Sequence, residues 1–122
     1  MTTYRLLMGG RLVATFGVAE YRDGETGGLH PMKIPGSHKL GDVTLKRGVV
    51  ADPSLANWLK GVKTKHQLVI QLMNETGQAV ISWSFANATI RKYTGPALNA
   101  KGNDIAIEEL EIAHEGLKLP PR

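Results

Sequence analysis

Apolar residues in this chain recur at every second position far more often than at every third or fourth, and that period admits strands rather than helices. Tyr4, Leu6 and Met8 alternate with residues of the opposite face, Gly9-Gly10 supplies a two-residue turn, and Leu12, Ala14 and Phe16 resume the alternation. The pattern predicts a hairpin, because paired glycines reach the positive φ that tight hairpin turns need. Leu68, Ile70 and Leu72, then Thr76-Gly77 as a turn, then Ile81, Trp83 and Phe85 predict a second one. Val43 and Leu45 open a further strand that runs to about Val50. In the last strand Ile105 and Ile107 occupy odd positions while Leu110 and Ile112 occupy even ones. The inward face therefore switches, and a bulge near Glu108-Glu109 would produce the switch.

One helix interrupts the strands. Asp52 is a capping residue, Pro53 suits a first helical position, and Leu55, Trp58, Leu59 and Val62 follow at helical spacing, which predicts a short amphipathic helix lying against a sheet. Between Asp23 and His38 the chain turns to Gly24, Gly27, Gly28, Pro31, Pro35 and Gly36 with few apolar anchors, so a long loop is expected over 23–38. Loops of that length in compact domains are usually functional or disordered. The expected fold class is mainly β, a small antiparallel β-barrel or sandwich of about six strands with one short α-helix, in a single domain over residues 1–122. Phe16, Trp58, Trp83 and Phe85 are its expected core anchors.

The 122 residues contain no cysteine, which excludes thiolate metal sites, redox dithiols and cysteine nucleophiles. His30, His38, His66 and His114 are scattered without ligand spacing, and Glu108, Glu109, Glu111 and Glu115 cluster without the geometry of a catalytic carboxylate pair. Gly24 to Gly28 lacks the Lys-Ser or Lys-Thr of a phosphate-binding loop. No enzyme activity, metal or cofactor is expected. The opening Met1 to Met8 has no apolar run of signal-peptide length and no window approaches a membrane span, so cytoplasmic synthesis without a membrane anchor is expected. The acceptor patterns at Asn74 and Asn87 then have no glycosylation to receive.

The net charge of +4 hints at polyanions, but its distribution is more informative. From His30 to His66 seven cations stand against two carboxylates, a net +5, whereas Asp104 to Glu115 holds five carboxylates and no Lys or Arg, a net −5. Separated opposite charges allow a chain to pair with copies of itself. Lys46 and Arg47 are expected to approach Glu108, Glu109 and Glu111, within a subunit or across an interface. Strand alternation places no more than one of the two cations in any such contact.

Several ordered blocks resemble the tail tube proteins of contractile phages and their relatives in extracellular contractile injection systems. They are Tyr21-Arg22-Asp23-Gly24, Lys33-Ile34-Pro35-Gly36, the run from Leu40 to Gly48, and the helix carrying Trp58. The C-terminal third adds Trp83 and Asn87 before Lys92-Tyr93-Thr94-Gly95-Pro96, then Leu98-Asn99-Ala100, Gly102-Asn103, Ala106-Ile107-Glu108 and the run from Leu110 to Leu117. The stretch between Phe16 and Tyr21 is shorter than is usual in that family, and Thr89-Ile90 stands where a Trp-Pro-like pair is common.

The resemblance implies a structural subunit of an inner tube, a homo-oligomer of hexameric rings stacked around a central channel. It implies a surrounding sheath, baseplate or spike and terminator partners, DNA or protein cargo in the lumen, and residence in an assembled virion tail or injection particle. The 23–38 loop would reach a neighbouring subunit or ring through Leu29, Met32, Lys33 and Ile34. A different class of function, a small basic barrel that binds nucleic acid, would need aromatic residues interleaved with Lys and Arg on an exposed face.

Overall fold

The computed structural model describes residues 3–23, 27–32, 40–52, 55, 65–95, 106–115 and 117–118. Among them run eight strands: β1 (Thr3–Met8), β2 (Arg11–Asp23), β3 (Leu29–Pro31), β4 (Leu40–Val50), β5 (His66–Met73), β6 (Ala79–Thr94), β7 (Ala106–Ala113) and β8 (Leu117–Lys118). Neighbours follow the order β1-β5-β6-β7-β4-β2-β3, and β1 also pairs β2. Six strands thus close on themselves in a barrel-like ring, every pairing antiparallel, with β3 added to β2 and β8 to β6. Phe16, Trp83 and Phe85 lie inside the ring among Leu6, Leu45 and Leu110.

Both predicted hairpins form. Gly9 and Gly10 take φ of 62° and 79° at the β1–β2 turn. The register then shifts between Leu6 and Leu7, because Leu6 faces Ala14 while Leu7 faces Leu12. Val13 is the extra residue, and Val13 and Ala14 are both buried. Leu12, expected on the inward face, is therefore 36% exposed. In the β5–β6 turn the Asn74 side-chain oxygen accepts hydrogen bonds from the Thr76 N–H at 3.0 Å, the Thr76 hydroxyl at 2.8 Å and the Gln78 N–H at 2.9 Å.

The segment after Asp23 contains structure that its composition hides. The Asp23 N–H donates to the Gly28 carbonyl at 2.8 Å and the Gly27 N–H to the Asp23 carbonyl at 2.9 Å, closing a tight return. Leu29 to Pro31 then pair back on β2 as β3, with Tyr21 opposite His30. Met32 ends this stretch in the chain's own core at 1% exposure. Its N–H donates to the Ala19 carbonyl at 2.9 Å, and its carbonyl accepts the Tyr4 hydroxyl at 2.8 Å. Of the predicted helix over Pro53 to Val62, only Leu55 lies within the described residues. It is buried, and its N–H donates to the Asp52 carbonyl at 3.2 Å. Trp58 lies outside them.

The face switch predicted for β7 is real, but it is shared by three strands. Phe16 faces Gly48, and Gly48 faces Ile107; Ala19 faces Leu45, and Leu45 faces Leu110. Both rows are buried. They are separated in each strand by two residues, Gly17-Val18, Lys46-Arg47 and Glu108-Glu109, where strict alternation allows one or three. No register shift interrupts the β4–β7 ladder at this level, so the expected bulge at Glu108-Glu109 is absent. Instead Arg47 takes a φ of 58° and turns β4 there. A register shift between Ile90 and Lys92 on β6 supplies a true irregularity against β7.

A left-handed residue in mid-strand costs about 1–2 kcal/mol when it bears a Cβ. Arg47→Gly is therefore expected to raise stability by about 0.5–1 kcal/mol, after the greater entropy of glycine in the unfolded chain is subtracted, as read by denaturant unfolding. No gain would show that Arg47 rests there without strain. Gly48 is required for another reason. A Cβ on it would lie 2.3 Å from Cε1 of Phe16, because the ring covers the glycine backbone. Gly48→Ala should lower stability by about 1–3 kcal/mol, and combining it with Phe16→Leu should cost less than the two changes summed, measured as a double-mutant cycle.

Candidate assembly surface

The outward side of the folded strip formed by β2, β4, β7 and the second half of β6 gathers most of the charged residues singled out in the sequence. Lys46 faces Glu109 across the β4–β7 ladder, and Lys92 on β6 faces Glu111. Lys46 also reaches Glu20 on β2 at 3.3 Å, and Arg91 bonds Asp42 at 2.7 Å. Of the basic segment, Lys46 stands opposite Glu109 of the acidic strand within one chain, while its ion pair is with Glu20. No local pattern marks the contacts of Glu20, Asp42 and Arg91, since they depend on strand order and, for Arg91, on the irregularity in β6.

Alternation had assigned Lys46 and Arg47 to opposite faces. The left-handed turn at Arg47 removes that constraint, and neither side chain enters the core: Lys46 is half-buried and Arg47 exposed. Glu108 is likewise exposed and Glu109 half-buried. Of the expected apolar contact residues, Leu29 is exposed on β3, whereas Met32 is enclosed beneath the Tyr4 hydrogen bond. Met32 is thus taken up by its own core rather than offered to a partner. Lys33 and Ile34 lie outside the described residues.

Beyond the charged strip, Glu115 accepts a bond from Lys65 at 3.0 Å. That bond, together with one from Asn87 and the nearby lysine charge, holds the Glu115 carboxyl below its usual range. Burial raises the Tyr4 phenol, and burial followed by the charge of Glu108 raises that of Tyr93. His114 shares a 2.8 Å hydrogen bond with the Gly41 carbonyl and lies against the ring of Phe85. Among the described residues no three His, Asp or Glu side chains converge as a metal site, and no helix is long and apolar enough to cross a membrane.

Backbone edges are the other available contact element. Among the described residues, no strand pairs with the outer edge of β3 or with the edge of Ile90–Thr94 that faces away from β7. Such edges present unpaired N–H and C=O groups that a further strand can satisfy. Val49 and Leu29 add exposed apolar side chains nearby in sequence to these charged and edge elements.

Solved structures share this fold, three of them as follows. The cap that terminates the tube of the anti-feeding prophage aligns with a TM-score of 0.51 at 24% identity, over 98% of this chain and 88% of that one. A chain from the sheath–tube complex of the extracellular contractile injection system PVC, in its extended state, aligns with a TM-score of 0.50 at 22% identity, over 94% and 86%. Hcp1 from Flavobacterium johnsoniae aligns with a TM-score of 0.53 at 12% identity, over 94% and 92%. No curated protein matches the chain. The model of the T4-like virus tail tube protein gp19 family matches residues 5–118, nearly the whole sequence. By that match the chain belongs to the T4-like virus tail tube protein gp19 family and is a structural tube subunit.

Proposed function

We propose that the chain assembles as hexameric rings that stack into the hollow inner tube of a contractile phage tail or injection system, in which it works without catalysis or cofactor. The family match over residues 5–118 carries this reading. The fold is compatible with it, because among the described residues the closed ring of six strands leaves β3, β8 and parts of β6 to offer edges, and a few defined edges favour ordered association over aggregation. The similar PVC chain comes from a sheath–tube complex and the similar prophage chain is a tube-terminating cap, which supports a sheath and a terminator as partners here. A baseplate or spike would hold one end, and DNA or protein cargo would occupy the lumen.

The segment 23–38 is assigned a contact between subunits or rings, with Leu29 its exposed apolar member among the described residues. No observation favours nucleic-acid binding as an alternative. Phe16, Trp83 and Phe85 are enclosed in the core, so none of them is available to stack a base.

Electron microscopy and mass photometry of the purified chain, alone and with its sheath and baseplate proteins, should show sixfold rings or tubes. A strictly monomeric species in all of these mixtures overturns the reading. The visible ion pairs are exposed, and exposed pairs are weak and screened by salt. Strand pairing and apolar contact are therefore expected to hold the assembly, which should persist in salt of roughly 1 M, where exposed pairs are screened within a few ångströms. Dissociation in that salt would show that exposed charge is the main cohesive force.

A further inference from the structure

The β1–β5 ladder carries a tight turn at each end. Met8 pairs Leu68 at one end and Thr3 pairs Met73 at the other, so the β1–β2 turn at Gly9-Gly10 and the β5–β6 turn over 74–78 stand at opposite ends of the same two strands, roughly 17 Å apart along them. The two ends differ in relief. At the first, Gly9, Gly10, Gln67 and Val69 line a hollow of about 200 Å³. Neither glycine offers a side chain, and a Cβ built on either would meet nothing within 4 Å. The lining is uncharged, and Val69 belongs to an outward apolar row in which Leu7 faces both Leu12 and Val69.

The other end projects, and residues 74–80 are all exposed. Leu72 pairs Ile81 while Met73 pairs Ala79, so Val80 is the extra residue of a bulge. At 59% it is the most exposed large apolar side chain among the described residues. A single exposed valine is ordinary, but this one stands beside a turn closed on itself. The Asn74 side-chain oxygen accepts bonds from the Thr76 N–H, the Thr76 hydroxyl and the Gln78 N–H. The Asn74 N–H donates to the Gln78 carbonyl at 2.9 Å and the Gly77 N–H to the Asn74 carbonyl at 3.1 Å. A projection already held in one shape loses little entropy on docking. The ends also differ in sign: Glu75 is exposed on this turn, whereas Arg11, which follows the glycines of the hollow, has a side chain 70% exposed that reaches Asp52 only at 3.7 Å.

We propose that the β5–β6 turn of one copy seats on the β1–β2 turn of the next, with Val80 in the hollow beside Gly9-Gly10 and Val69, as a contact by which rings stack. The inference rests on the tube-subunit reading and specifies which surface meets which along the tube. Stacking identical copies in one direction requires two different surfaces at opposite ends of each copy, one fitted to the other. The two turns meet that condition, since one projects and the other is concave, both are apolar at the centre, and their flanking charges are opposite. An apolar cavity of roughly 150 Å³ accepts benzene, so the hollow has room for an isopropyl group. Burial of Val80 supplies cohesion that salt does not screen, and Glu75 with Arg11 orients the approach.

The test uses the full chain under conditions where the wild type forms tubes; a wild type that forms neither rings nor tubes defeats the tube-subunit reading itself. Given tubes, Val80→Asp is expected to lower the fraction of chains in tubes by about tenfold or more, the factor that follows from losing one buried valine, and to leave separate rings in electron micrographs. Because Val80 is exposed in the single copy, the variant should melt as the wild type does, which separates a lost contact from misfolding. Gly10→Asn keeps a residue type that tolerates the φ of 79° and adds a polar side chain at the hollow, so it should give the same rings without tubes. Because the chain has no cysteine, tubes grown from Val80→Cys chains mixed with Gln67→Cys chains should yield disulfide-linked dimers on mild oxidation, above the yield of either variant alone. Normal tubes from both Val80→Asp and Gly10→Asn, or no mixed dimers from an assembled sample, would overturn the contact. If both variants form normal tubes that no longer bind sheath protein, the hollow takes a sheath segment and the second copy is the wrong occupant.

Discussion

The fold depends on bringing six strands back upon themselves, so that β1 pairs β2 on one side and β5 on the other. Closure satisfies backbone hydrogen-bonding groups that an open sheet would leave at two long edges. It also requires the strands to bend, and the bend is concentrated where β2, β4 and β7 turn together between two buried rows. Above this level Phe16, Gly48 and Ile107 face the interior; below it Ala19, Leu45 and Leu110 do. A bend confined to one strand would have broken its ladder. Shared by three, it leaves the β4–β7 register intact.

This shared bend couples the interior of the molecule to its outward charge. The residues displaced from the interior at the turn are Lys46-Arg47 on β4 and Glu108-Glu109 on β7, so the operation that closes the ring also brings two adjacent charged rows to the outside. One row is matched across the ladder by Lys46 and Glu109, while in the other Arg47 is diverted over Gly17.

Much of this was legible in the sequence, and the exceptions have physical causes. Two-residue periodicity, with Gly9-Gly10 and Thr76-Gly77 as turns, identified both hairpins because half-buried strands and their turns leave local signals. Leu12 was misplaced because a register shift between Leu6 and Leu7 depends on pairing, which no single strand encodes. β3 escaped notice because all three of its residues are exposed and alternation has nothing to mark. Met32 looked like a loop anchor until its partners, Ala19 and Tyr4, were brought to it by the closed ring. The switch in β7 was visible in the spacing of Ile107 and Leu110, but its origin lay in the backbone of Arg47, a residue type that gives no warning of a positive φ. The family resemblance compensated for what periodicity could not supply, since closure and strand order are properties of a lineage more than of any local window.

The contact between Phe16 and Gly48 bears on how such a chain can vary over generations. The ring occupies the volume that any larger residue at 48 would claim, so the two sites share one allotment of space across neighbouring strands. A change at either site alone leaves a void or a collision, whereas reciprocal changes can preserve the fill. The two positions would therefore drift together, and a lineage that loses the glycine should be found to have first reduced the ring.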